Sequence, residues 1–356
     1  MIKYGIWIDF SSKNVLNNIF NDFKYFKENL EWKNSILSFL KNWYNNESTL
    51  TIFSSGTTGI PKKFFFKKKF FFKRAITTVK FLKLKKKGIK GLFCLSPNFI
   101  ASKMFLIRAI IFKWKIYCIP PSSNPLKNIK EYFDITSMVP MQVFFSLKYL
   151  KYIKMILIGG GEISNFLEKK LQNISTICYS TYGMTETLGN IAIRKINGFN
   201  KSIYYKSFKD IHLSIDKRNC LKIFFSYSMD SFIKTNDIVS MKSNNEFLWI
   251  GRYDNIINSG GIKIIPELIE KNISFFIPIH KRFFISSIKD KIFGEKIVLI
   301  IEGPPFQLKI PENIFNEKNK FYKPKNIFFI PSFIETTLGK FNRKKIMKKL
   351  IKKMKI

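Results

Sequence analysis

A loop rich in glycine and hydroxyl residues is the first stretch of this chain that could do chemistry. It follows Leu50, Ile52 and Phe53, whose apolar character predicts a short buried strand. The loop consists of Ser54, Ser55, Gly56, Thr57, Thr58 and Gly59, and it is closed by Pro61 and Lys62. Backbone N–H groups, hydroxyls and a cation at one turn suit a polyphosphate. Pro61 has no N–H to donate, which excludes the Walker A form of such a loop.

Further segments combine a carboxylate, a hydroxyl or a cation with glycine or, in one case, asparagine. They are Tyr182-Gly183-Met184-Thr185-Glu186, Thr235-Asn236-Asp237, Gly251-Arg252-Tyr253-Asp254 with Ser259-Gly260-Gly261-Ile262-Lys263-Ile264, and Leu338-Gly339-Lys340-Phe341-Asn342-Arg343. Each has an ordinary interpretation when taken alone. Lys340 could be one more solvated lysine, Asp237 a turn residue and Tyr182 a core residue. The order of the segments along the chain is therefore what gives them meaning.

In that order, the loop and the later segments resemble the motifs of the acyl-adenylate-forming (ANL) superfamily. The loop is similar to its Ser-Gly-Thr-Thr-Gly-x-Pro-Lys motif, and the later segments to Tyr-Gly-x-Thr-Glu, Thr-Gly-Asp, Gly-Arg-x-Asp with Ser-Gly-Gly-x-x-Ile, and Gly-Lys-x-x-Arg. Asn236 departs from the pattern, because it stands where glycine is usual. Matches in register from residue 54 to residue 343 are hard to explain by chance.

The resemblance implies that a carboxylate attacks the α-phosphate of ATP and that CoA then accepts the acyl group. Two anions must meet in the first step, so cations have to neutralise the charge that develops. The resemblance assigns catalytic roles to three residues. Lys340 would bridge the carboxylate and the α-phosphate, Thr185 would hold a phosphate oxygen, and Glu186 would bind Mg²⁺.

The same resemblance implies the remaining site residues. The nucleotide would be bound by the loop residues given above with Lys62, and by Gly160, Gly161, Tyr182, Gly183, Met184, Asp237 and Arg252. Asp237 suits the two ribose hydroxyls, because an ionised carboxylate can accept both hydrogen bonds. Asp254 would be the hinge of a mobile C-terminal domain. Gly260 and Gly261 would let the pantetheine arm of CoA pass close to the backbone.

The phosphate loop lies nearer the start of the chain than in typical members, so a trimmed front subdomain is expected. The segments Asn98–Met104 and Pro120–Leu126 look like those of short bacterial o-succinylbenzoate–CoA ligases of menaquinone biosynthesis. Such an acid keeps a second carboxylate after activation, and its pocket should hold an extra cation. Lys103 and Arg108, on one predicted helix, are the candidates. A helix face pointing to solvent is the other interpretation.

Two other functions stay open at this point. One is a ligase of the same superfamily with another aryl or acyl substrate, or with a carrier-protein thiol as acceptor. The other is a degenerate, non-enzymatic protein that binds polyanions, which a net charge of +38 would favour. The lysines are scattered over every segment, however, so we interpret the charge as compositional drift and expect no specific nucleic-acid partner.

The composition also restricts the cellular compartment and the kinds of catalytic and metal site that we expect. Cys94, Cys118, Cys178 and Cys220 are far apart in the sequence, which disfavours disulfide frameworks and zinc sites and suits a reducing cytoplasm. Only two histidines occur in the 356 residues, so catalysis by a histidine base is not expected. The N-terminus lacks the apolar region of a signal peptide, and no tract is long enough to span a membrane.

The elements that must position these residues alternate between strand and helix as far as about residue 200. Predicted strands at 91–95, 116–119, 155–158 and 175–178 alternate with predicted helices at 101–112, 141–149 and 165–171, the last capped by Asn165. Residues 1–49 are predicted largely helical. The low-complexity segment 62–74 is predicted to be a strand after the phosphate loop.

The pattern predicts an α/β fold with two domains. A large N-terminal domain (1–251) would carry mixed or parallel sheets flanked by helices, with ligands at the carboxyl ends of the strands. A small α+β C-terminal domain (252–356) would carry helices at Pro266–Ile273 and Arg343–Met354. The second helix has one apolar stripe among its lysines.

Overall fold

The structure is a computed structural model that describes residues 5–13, 15–24, 29–53, 62–85, 87–226, 228–278, 280–315, 321–335 and 341–354. Two compact units divide the chain. The first comprises Met1–Ile163, Lys170–His212 and Phe225–Met229, and the second comprises Ser164–Lys169, Leu213–Phe224 and Asp230–Ile356. The domain boundary predicted at 251/252 falls inside the second unit, and it stays a prediction.

The first unit alternates strands and helices along the chain. Its strands are β1 (Ile6–Asp9), β2 (Thr49–Phe53), β3 (Lys63–Lys67), β4 (Lys90–Phe93), β5 (Lys115–Cys118), β6 (Phe133–Met138), β7 (Ile153–Ile158), β8 (Ile177–Met184), β9 (Gly189–Lys195) and β10 (Tyr205–Ser207). Its helices are α1 (Val15–Lys24), α2 (Leu30–Tyr44), α3 (Lys68–Phe81), α4 (Ile100–Ile111) and α5 (Pro140–Phe145). A 3₁₀ helix at Leu147–Tyr152 leads into β7.

The main sheet of the first unit has the order β1-β5-β4-β6-β7-β8-β9-β10. Strands β5, β4, β6, β7 and β8 are parallel, while β1, β9 and β10 pair antiparallel to their neighbours. The central strands β6 and β7 are buried along most of their length, as expected for parallel strands covered on both faces. The mixed α/β fold predicted from the sequence is confirmed.

The second unit begins with a helix and a run of antiparallel strands. The elements are α6 (Asn165–Lys170), β11 (Ile211–Ile215), β12 (Cys220–Phe225), β13 (Ser228–Ser243), β14 (Glu246–Arg252), β15 (Ile257–Ser259), β16 (Ile262–Ile264), α7 (Pro266–Ile273), β17 (Phe283–Asp290), β18 (Gly294–Glu302), β19 (Asn326–Ile330) and α8 (Arg343–Met354). Short 3₁₀ helices lie at Tyr253–Asn255 and Glu312–Phe315.

A small sheet in the second unit has β18 at its centre, with β17 and β15 antiparallel to it and β19 parallel. Side chains of β18 alternate between two cores. Ile297 and Leu299 join Ile269 of α7, whereas Val298 and Ile300 join a cluster containing residues of α8. Successive side chains of a strand point to opposite faces, so α7 and α8 cover opposite faces of this sheet. This arrangement is the small α+β body that the sequence predicted.

The region 1–49 is largely helical as predicted, through α1 and α2, and it also contains the strand β1. Two local predictions were wrong. The segment 62–74 is a strand only as far as Lys67, and α3 begins at Lys68, because Phe71, Ala75 and Val79 lie at helical spacing and are buried. The cap of α6 is Ser164, whose Oγ accepts a hydrogen bond from the N–H of Leu167 at 3.2 Å.

Candidate functional site

The predicted phosphate loop, residues 54–61, lies outside the described residues. The structure describes the strands on either side of it. Strands β2 and β3 pair antiparallel with Phe53 directly opposite Lys63, so the two ends of the loop are held together. Leu50 and Ile52 of β2 are buried, which anchors this hairpin to the first unit. Lys62, the predicted cation of the loop, is exposed.

A glycine turn follows β7 in the first unit. Gly160 has φ of +81°, a backbone conformation that side chains other than glycine rarely adopt. A Cβ atom added at Gly159 would lie 2.4 Å from Oγ1 of Thr181, and one added at Gly160 would lie 3.3 Å from Cγ1 of Val139. The turn therefore passes closely between the residues that follow β6 and those of β8. Only glycine permits this approach.

The predicted Tyr-Gly-x-Thr-Glu segment forms the end of β8 and the turn that joins it to β9. The turn is stabilised by Thr187, whose buried hydroxyl donates to the carbonyl of Gly189 at 2.6 Å and accepts from the N–H of Met184 at 2.9 Å. Within the described part of the chain, the half-buried side chains of Thr185 and Glu186 make no hydrogen bond or ion pair. Their hydroxyl and carboxylate are thus not committed to holding the turn.

The glycine turn and the β8–β9 turn lie at the same edge of the main sheet. Strands β7 and β8 are parallel neighbours, with Ile158 opposite Ser180, so their carboxyl ends adjoin. Gly160 and Gly161 directly follow the first strand, and Tyr182 lies near the end of the second. Ligands of open α/β sheets bind at this edge. The structure thus brings together the residues predicted to frame the adenine and those predicted to hold phosphate and Mg²⁺.

Helix α4 carries both residues predicted to bind a second carboxylate. It packs beside the β8–β9 turn, since a Cβ atom at Gly189 would lie 3.2 Å from Cγ of Met104. Lys103 is half-buried, and its Nζ donates to the carbonyl of Pro97 at 2.9 Å. Burial lowers the pKa of Lys103 to about 8. The interpretation of this helix face as pointing to solvent was wrong.

Arg108, one turn further along α4, is a buried cation. Its side chain is only 2% exposed, and no described residue accepts a hydrogen bond from Nε or Nη1. Burial lowers the pKa of Arg108 to about 10, so the guanidinium is charged at neutral pH. Burying a charge without a partner is costly. The arrangement is suited to an anionic ligand that supplies the missing acceptors.

In the second unit, Asp237 forms the centre of a polar cluster on β13 and β14. It is 6% exposed and lies opposite Arg252 in the antiparallel register. Its Oδ1 accepts from Nη1 of Arg252 at 3.3 Å and from Nε1 of Trp249 at 3.2 Å. The predicted support of Asp237 by Arg252 is present in the structure. Trp249 was missed, although an indole N–H on a half-buried strand signals the need for an acceptor.

The predicted hinge residue Asp254 is held by two neighbours in the same unit. Its Oδ2 accepts from Nη2 of Arg252 at 2.8 Å, and its Oδ1 accepts from Nδ2 of Asn236 at 2.9 Å. Asn236 also accepts from Nη1 of Arg218 at 3.1 Å. Burial tends to lower the pKa of Arg252, but the carboxylates of Asp237 and Asp254 outweigh it and raise the pKa. Asn236, which stands where glycine was expected, thus joins Arg218 to Asp254, the predicted hinge residue.

Gly260 and Gly261 form the two-residue turn of the β15–β16 hairpin. Both have positive φ, +58° and +80°, as in a type I′ turn. A Cβ atom at Gly261 would meet nothing within 4 Å, so the tip of the turn is open. The turn presents bare backbone, which is the property predicted for the passage of a pantetheine arm.

Two distant sequence motifs meet between α7 and α8. Arg343 donates from Nη1 to Oε1 of Glu270 at 2.6 Å and from Nη2 to Oε2 at 2.8 Å. This bidentate pair anchors the first residue of α8, three residues after Lys340. Lys340 itself lies outside the described residues. Nearby, Glu267 is buried and accepts from Nδ2 of Asn255 at 2.6 Å, and burial raises its pKa.

The described residues contain no group of three or more His, Cys, Asp or Glu side chains arranged to hold a metal ion. Mg²⁺ is ordinarily held by one or two carboxylates together with substrate phosphates and water. Glu186, with no protein partner in the described part of the chain, fits that kind of site. Among the described helices, none is long and apolar enough to cross a membrane.

Known proteins resemble this chain in sequence and in structure, although no protein-family model matches it. The 2-succinylbenzoate–CoA ligase of Listeria monocytogenes is 23% identical over 86% of this chain and 71% of its own length. An acyl-CoA synthetase (AMP-forming)/AMP-acid ligase II-like protein from Dyadobacter fermentans is 29% identical, with a TM-score of 0.60 over 93% of this chain and 98% of its own.

The O-succinylbenzoate coenzyme A synthetase of Bacillus subtilis, solved in complex with ATP and magnesium ion, is a third similar protein. Its TM-score is 0.67 over 83% of this chain and 69% of its own, at 17% identity. At that identity the likeness shows the fold alone. All three are named as ligases or synthetases of acids, and the two solved structures share the α/β architecture found here.

Proposed function

We propose that the chain is a member of the acyl-adenylate-forming (ANL) superfamily and that it is an ATP-dependent carboxylate–CoA ligase whose acid is o-succinylbenzoate. The observation that carries the ligase proposal is the shared carboxyl edge of β7 and β8. A glycine turn follows β7 at this edge, and β8 leads to Thr185 and Glu186, whose side chains have no partner within the described residues.

The reaction has two balanced steps. A carboxylate oxygen of the acid attacks the α-phosphorus of ATP, the bond between the α- and β-phosphates breaks, and pyrophosphate leaves. The sulfur of CoA then attacks the acyl carbon, the bond to the phosphate oxygen breaks, AMP leaves, and the thiol proton passes to solvent. When bound, Mg²⁺ would neutralise charge on the phosphates. Both steps need cations and hydrogen-bond donors where negative charge collects.

Residues of the first unit would bind ATP and orient its phosphates. Glu186 would hold Mg²⁺, Thr185 would donate to a phosphate oxygen, and the loop 54–62 would add its N–H groups and hydroxyls. Tyr182, with Gly160 and Gly161, would frame the adenine. The hydroxyl of Thr185 and the carboxylate of Glu186 are the right types for these tasks, since one donates and the other coordinates.

Residues of the second unit would bind the ribose and carry the mobile cation. Asp237 would accept both ribose hydroxyls, held in place by Arg252 and Trp249. Lys340 would bridge the carboxylate and the α-phosphate during the first step. The hinge at Asp254 and the open turn at Gly260 and Gly261 would serve the second step, when the thiol enters.

Arg108 supports the choice of acid. After one carboxylate of o-succinylbenzoate has been activated, the other keeps its charge and needs a cation. A buried guanidinium without a described acceptor meets that need, because a carboxylate can take two of its N–H groups at once. Lys103, whose pKa lies near 8, would supply a second charge below that pH.

A panel of carboxylic acids tests the function, with pyrophosphate release measured in the presence and absence of CoA. We expect release with o-succinylbenzoate and a thioester product only when CoA is added. Release with another acid alone would discard the preferred substrate and keep the ligase. A thioester formed only on a carrier protein would replace CoA as acceptor. Salt-sensitive DNA binding without ATP consumption would instead favour a polyanion-binding protein.

The role of Lys340 is tested by separating the two steps. In Lys340→Ala we expect acyl-adenylate formation to be lost, while a supplied acyl-adenylate is still converted to the thioester. Loss of both steps to the same degree, in a variant that keeps the circular dichroism of the parent, would reject the role of Lys340 as the cation of the first step.

A further inference from the structure

One stretch of the chain is basic because it lacks acidic residues. From residue 48 to residue 130 there are 19 lysines and arginines and no aspartate or glutamate, whereas the whole chain has 24 acidic residues. A drift of composition towards lysine explains lysines in every segment, but it does not explain 83 consecutive residues without a carboxylate. The positive charge of this stretch is therefore not offset locally, and the low-complexity segment 62–74 lies within it.

Strand β3, in the first half of that segment, has two unlike faces. On the inner face, the ring of Phe66 lies edge-on to the buried ring of Phe71, with 6.1 Å between the ring centroids. Successive side chains of a strand point to opposite faces, and Lys63, Phe65 and Lys67 are exposed on the outer face. Cationic and apolar side chains thus alternate on the solvent side of this strand.

Phenylalanine rings in and beside this segment are widely exposed. Phe65 is 66% exposed, and Phe53 of β2 is 56% exposed. Phe53 lies directly opposite Lys63 in the antiparallel register, so its ring shares the outer face with Phe65. Phe72 of α3 is 44% exposed. Isolated apolar side chains on a surface are common, whereas several together mark an interaction surface.

Helix α3 repeats the mixture of cations and apolar side chains. Its exposed residues recur at helical spacing, which places them on one side of the helix: Lys69, Phe72, Lys73, Ile76 and Lys80. The opposite side of the helix is buried. We call the exposed side chains of residues 63–80, together with Phe53, the basic–aromatic surface.

The lysines of the basic–aromatic surface are not neutralised by the chain. Lys63, Lys67, Lys69 and Lys80 form no ion pair among the described residues. The ammonium of Lys63 instead lies 4.9 Å from the centroid of the Phe65 ring. Long side chains of this kind cover an apolar neighbour with their methylene groups and keep the charge in water, where a negatively charged surface can attract it.

An anionic lipid bilayer has both properties that such a surface requires of a partner. Lipid phosphates attract lysines, and phenylalanine rings enter the boundary between headgroups and acyl chains. A single-stranded nucleic acid would also attract the lysines, but its bases need free ring faces for stacking. One face of the Phe65 ring lies under Lys63, and the ring of Phe72 stacks on Trp43 at 5.6 Å. A bilayer makes no such demand, and it can also take up the aliphatic side chain of Ile76.

We propose that the basic–aromatic surface binds the headgroup region of an anionic lipid bilayer. Phe53, Phe65 and Phe72 would enter the bilayer surface, and the lysines of residues 63–80 would pair with lipid phosphates. This inference goes beyond the proposed ligase function and does not depend on it, since none of these side chains is assigned to the nucleotide, the acid or the thiol. The binding is peripheral, because the rings reach only the boundary of the hydrocarbon region.

The test measures the partition of the full-length protein onto lipid vesicles by co-sedimentation. Vesicles of phosphatidylcholine with about one-third phosphatidylglycerol carry a negative surface charge, and vesicles of phosphatidylcholine alone do not. We expect binding to the anionic vesicles to be about tenfold stronger or more, and to weaken as salt is added. Equal binding to both kinds of vesicle, or binding to neither, would overturn the proposal.

The rings are tested by Phe65→Ser/Phe72→Ser, which removes two exposed apolar side chains. We expect its partition onto anionic vesicles to fall about tenfold, because less apolar area enters the bilayer. The matched control is Phe199→Ser/Ile203→Ser, whose two side chains belong to the same unit, are exposed and lie outside the basic–aromatic surface. The control should bind as the parent does. The same loss in both variants would mean that any exposed apolar side chain serves, and would reject this surface as the site.

The lysines are tested by Lys63→Gln/Lys67→Gln, which keeps the rings. Its partition onto anionic vesicles should fall about tenfold, since each lysine near a charged bilayer contributes to binding. Lys206→Gln/Lys209→Gln, at exposed residues of the same unit, loses the same charge and should retain most of the binding. An equal fall in both would show that net charge alone attracts the protein, against the proposal. These glutamine variants leave buried contacts intact, so they remain decisive if circular dichroism shows that the phenylalanine variant is unfolded.

Two other partners would give different results. Binding of single-stranded RNA that is lost in both double variants of the surface, without binding to vesicles, would identify a nucleic-acid site and overturn the proposal. A parent dimer that dissociates in Phe65→Ser/Phe72→Ser during analytical ultracentrifugation, again without binding to vesicles, would identify a second copy of the chain as the partner and would also overturn it.

The ligase assay keeps this inference separate from the proposed function. Pyrophosphate release and thioester formation, measured without vesicles, should be the same in both double variants of the surface as in the parent. Vesicle binding by a protein with no ligase activity would leave this inference standing and reject the proposed function. Ligase activity without vesicle binding would reject this inference and leave the proposed function standing.

Discussion

Arg108 in the first unit and Arg343 in the second differ in what their guanidinium groups face. Arg343 makes two short hydrogen bonds to Glu270, and the rings of Phe284 and Phe341 lie within 6 Å of it. Arg108 has no acceptor for Nε or Nη1 among the described residues. Each is the kind of group that a folded protein can bury only if an anion faces it. The anion that faces Arg343 is Glu270 of the same chain, and we infer that the anion that faces Arg108 comes from the substrate.

Arg74 shows that the first unit can also pair a buried arginine. It is 1% exposed, donates to Oδ2 of Asp210 at 2.9 Å and to the carbonyl of Asn190 at 2.9 Å. The first unit can therefore supply acceptors to a buried arginine, and Arg108 lacks them because of its position on α4. The comparison separates arginines that are paired within the chain from Arg108, for which we propose a substrate anion as the partner.

The largest effect is expected for Arg108→Met. Removing a cation from a buried pair with a substrate carboxylate leaves that carboxylate unpaired, so kcat/KM for o-succinylbenzoate should fall about 1,000-fold. For the matching acid without the second carboxylate, kcat/KM should fall only slightly. The free energy of unfolding should stay the same or rise, since no internal partner is left behind. Urea denaturation and steady-state kinetics measure both; a clear loss of stability would put Arg108 in the same class as Arg343.

Arg343→Met should show the opposite pattern. The half-buried carboxylate of Glu270 would lose its cation, and the free energy of unfolding should fall by about 2 kcal/mol, less than for a fully buried pair. The double variant Arg343→Met/Glu270→Met is the control, and it should recover a large part of that loss because neither charge remains. Urea denaturation of the three variants tests this. A single variant as stable as the parent would contradict the pairing as a source of stability.

A smaller effect is expected from pH. In the folded protein the pKa of Lys103 is about 8, against an ordinary value of 10.5, because the side chain is partly buried. The ammonium form prevails below pH 8, so kcat/KM for the dicarboxylate should fall several-fold as the pH rises through 8. Lys103→Arg should remove this fall, since arginine keeps its charge. The same fall in Lys103→Arg would show that another group titrates.

The lowered pKa of Lys103 also predicts how the stability of the protein changes with pH. The unfolded chain binds the proton more tightly than the folded one, so the contribution of this residue to the free energy of unfolding rises with pH between about 8 and 10.5. Substrate carboxylate at Lys103 would stabilise the ammonium, so the corresponding fall in kcat should lie at higher pH than the fall in kcat/KM.

Local patterns in the sequence were enough to predict several helices, the superfamily and the glycine turns. The sequence pattern placed α7 and α8 at the residues where the structure has them, because a helix with one buried face repeats its apolar residues at its own period. The order of the short motifs indicated the superfamily. The glycine turns at Gly160 and Gly260 were likewise visible, since positive φ favours glycine.

Only the tertiary structure decided which charges are paired. The sequence gives no means of knowing that Glu270 and Arg343, 73 residues apart, would meet, or that Arg108 would be buried without an acceptor. Burial and charge pairing depend on what other parts of the chain bring to a residue, and periodicity describes only the residue's own element.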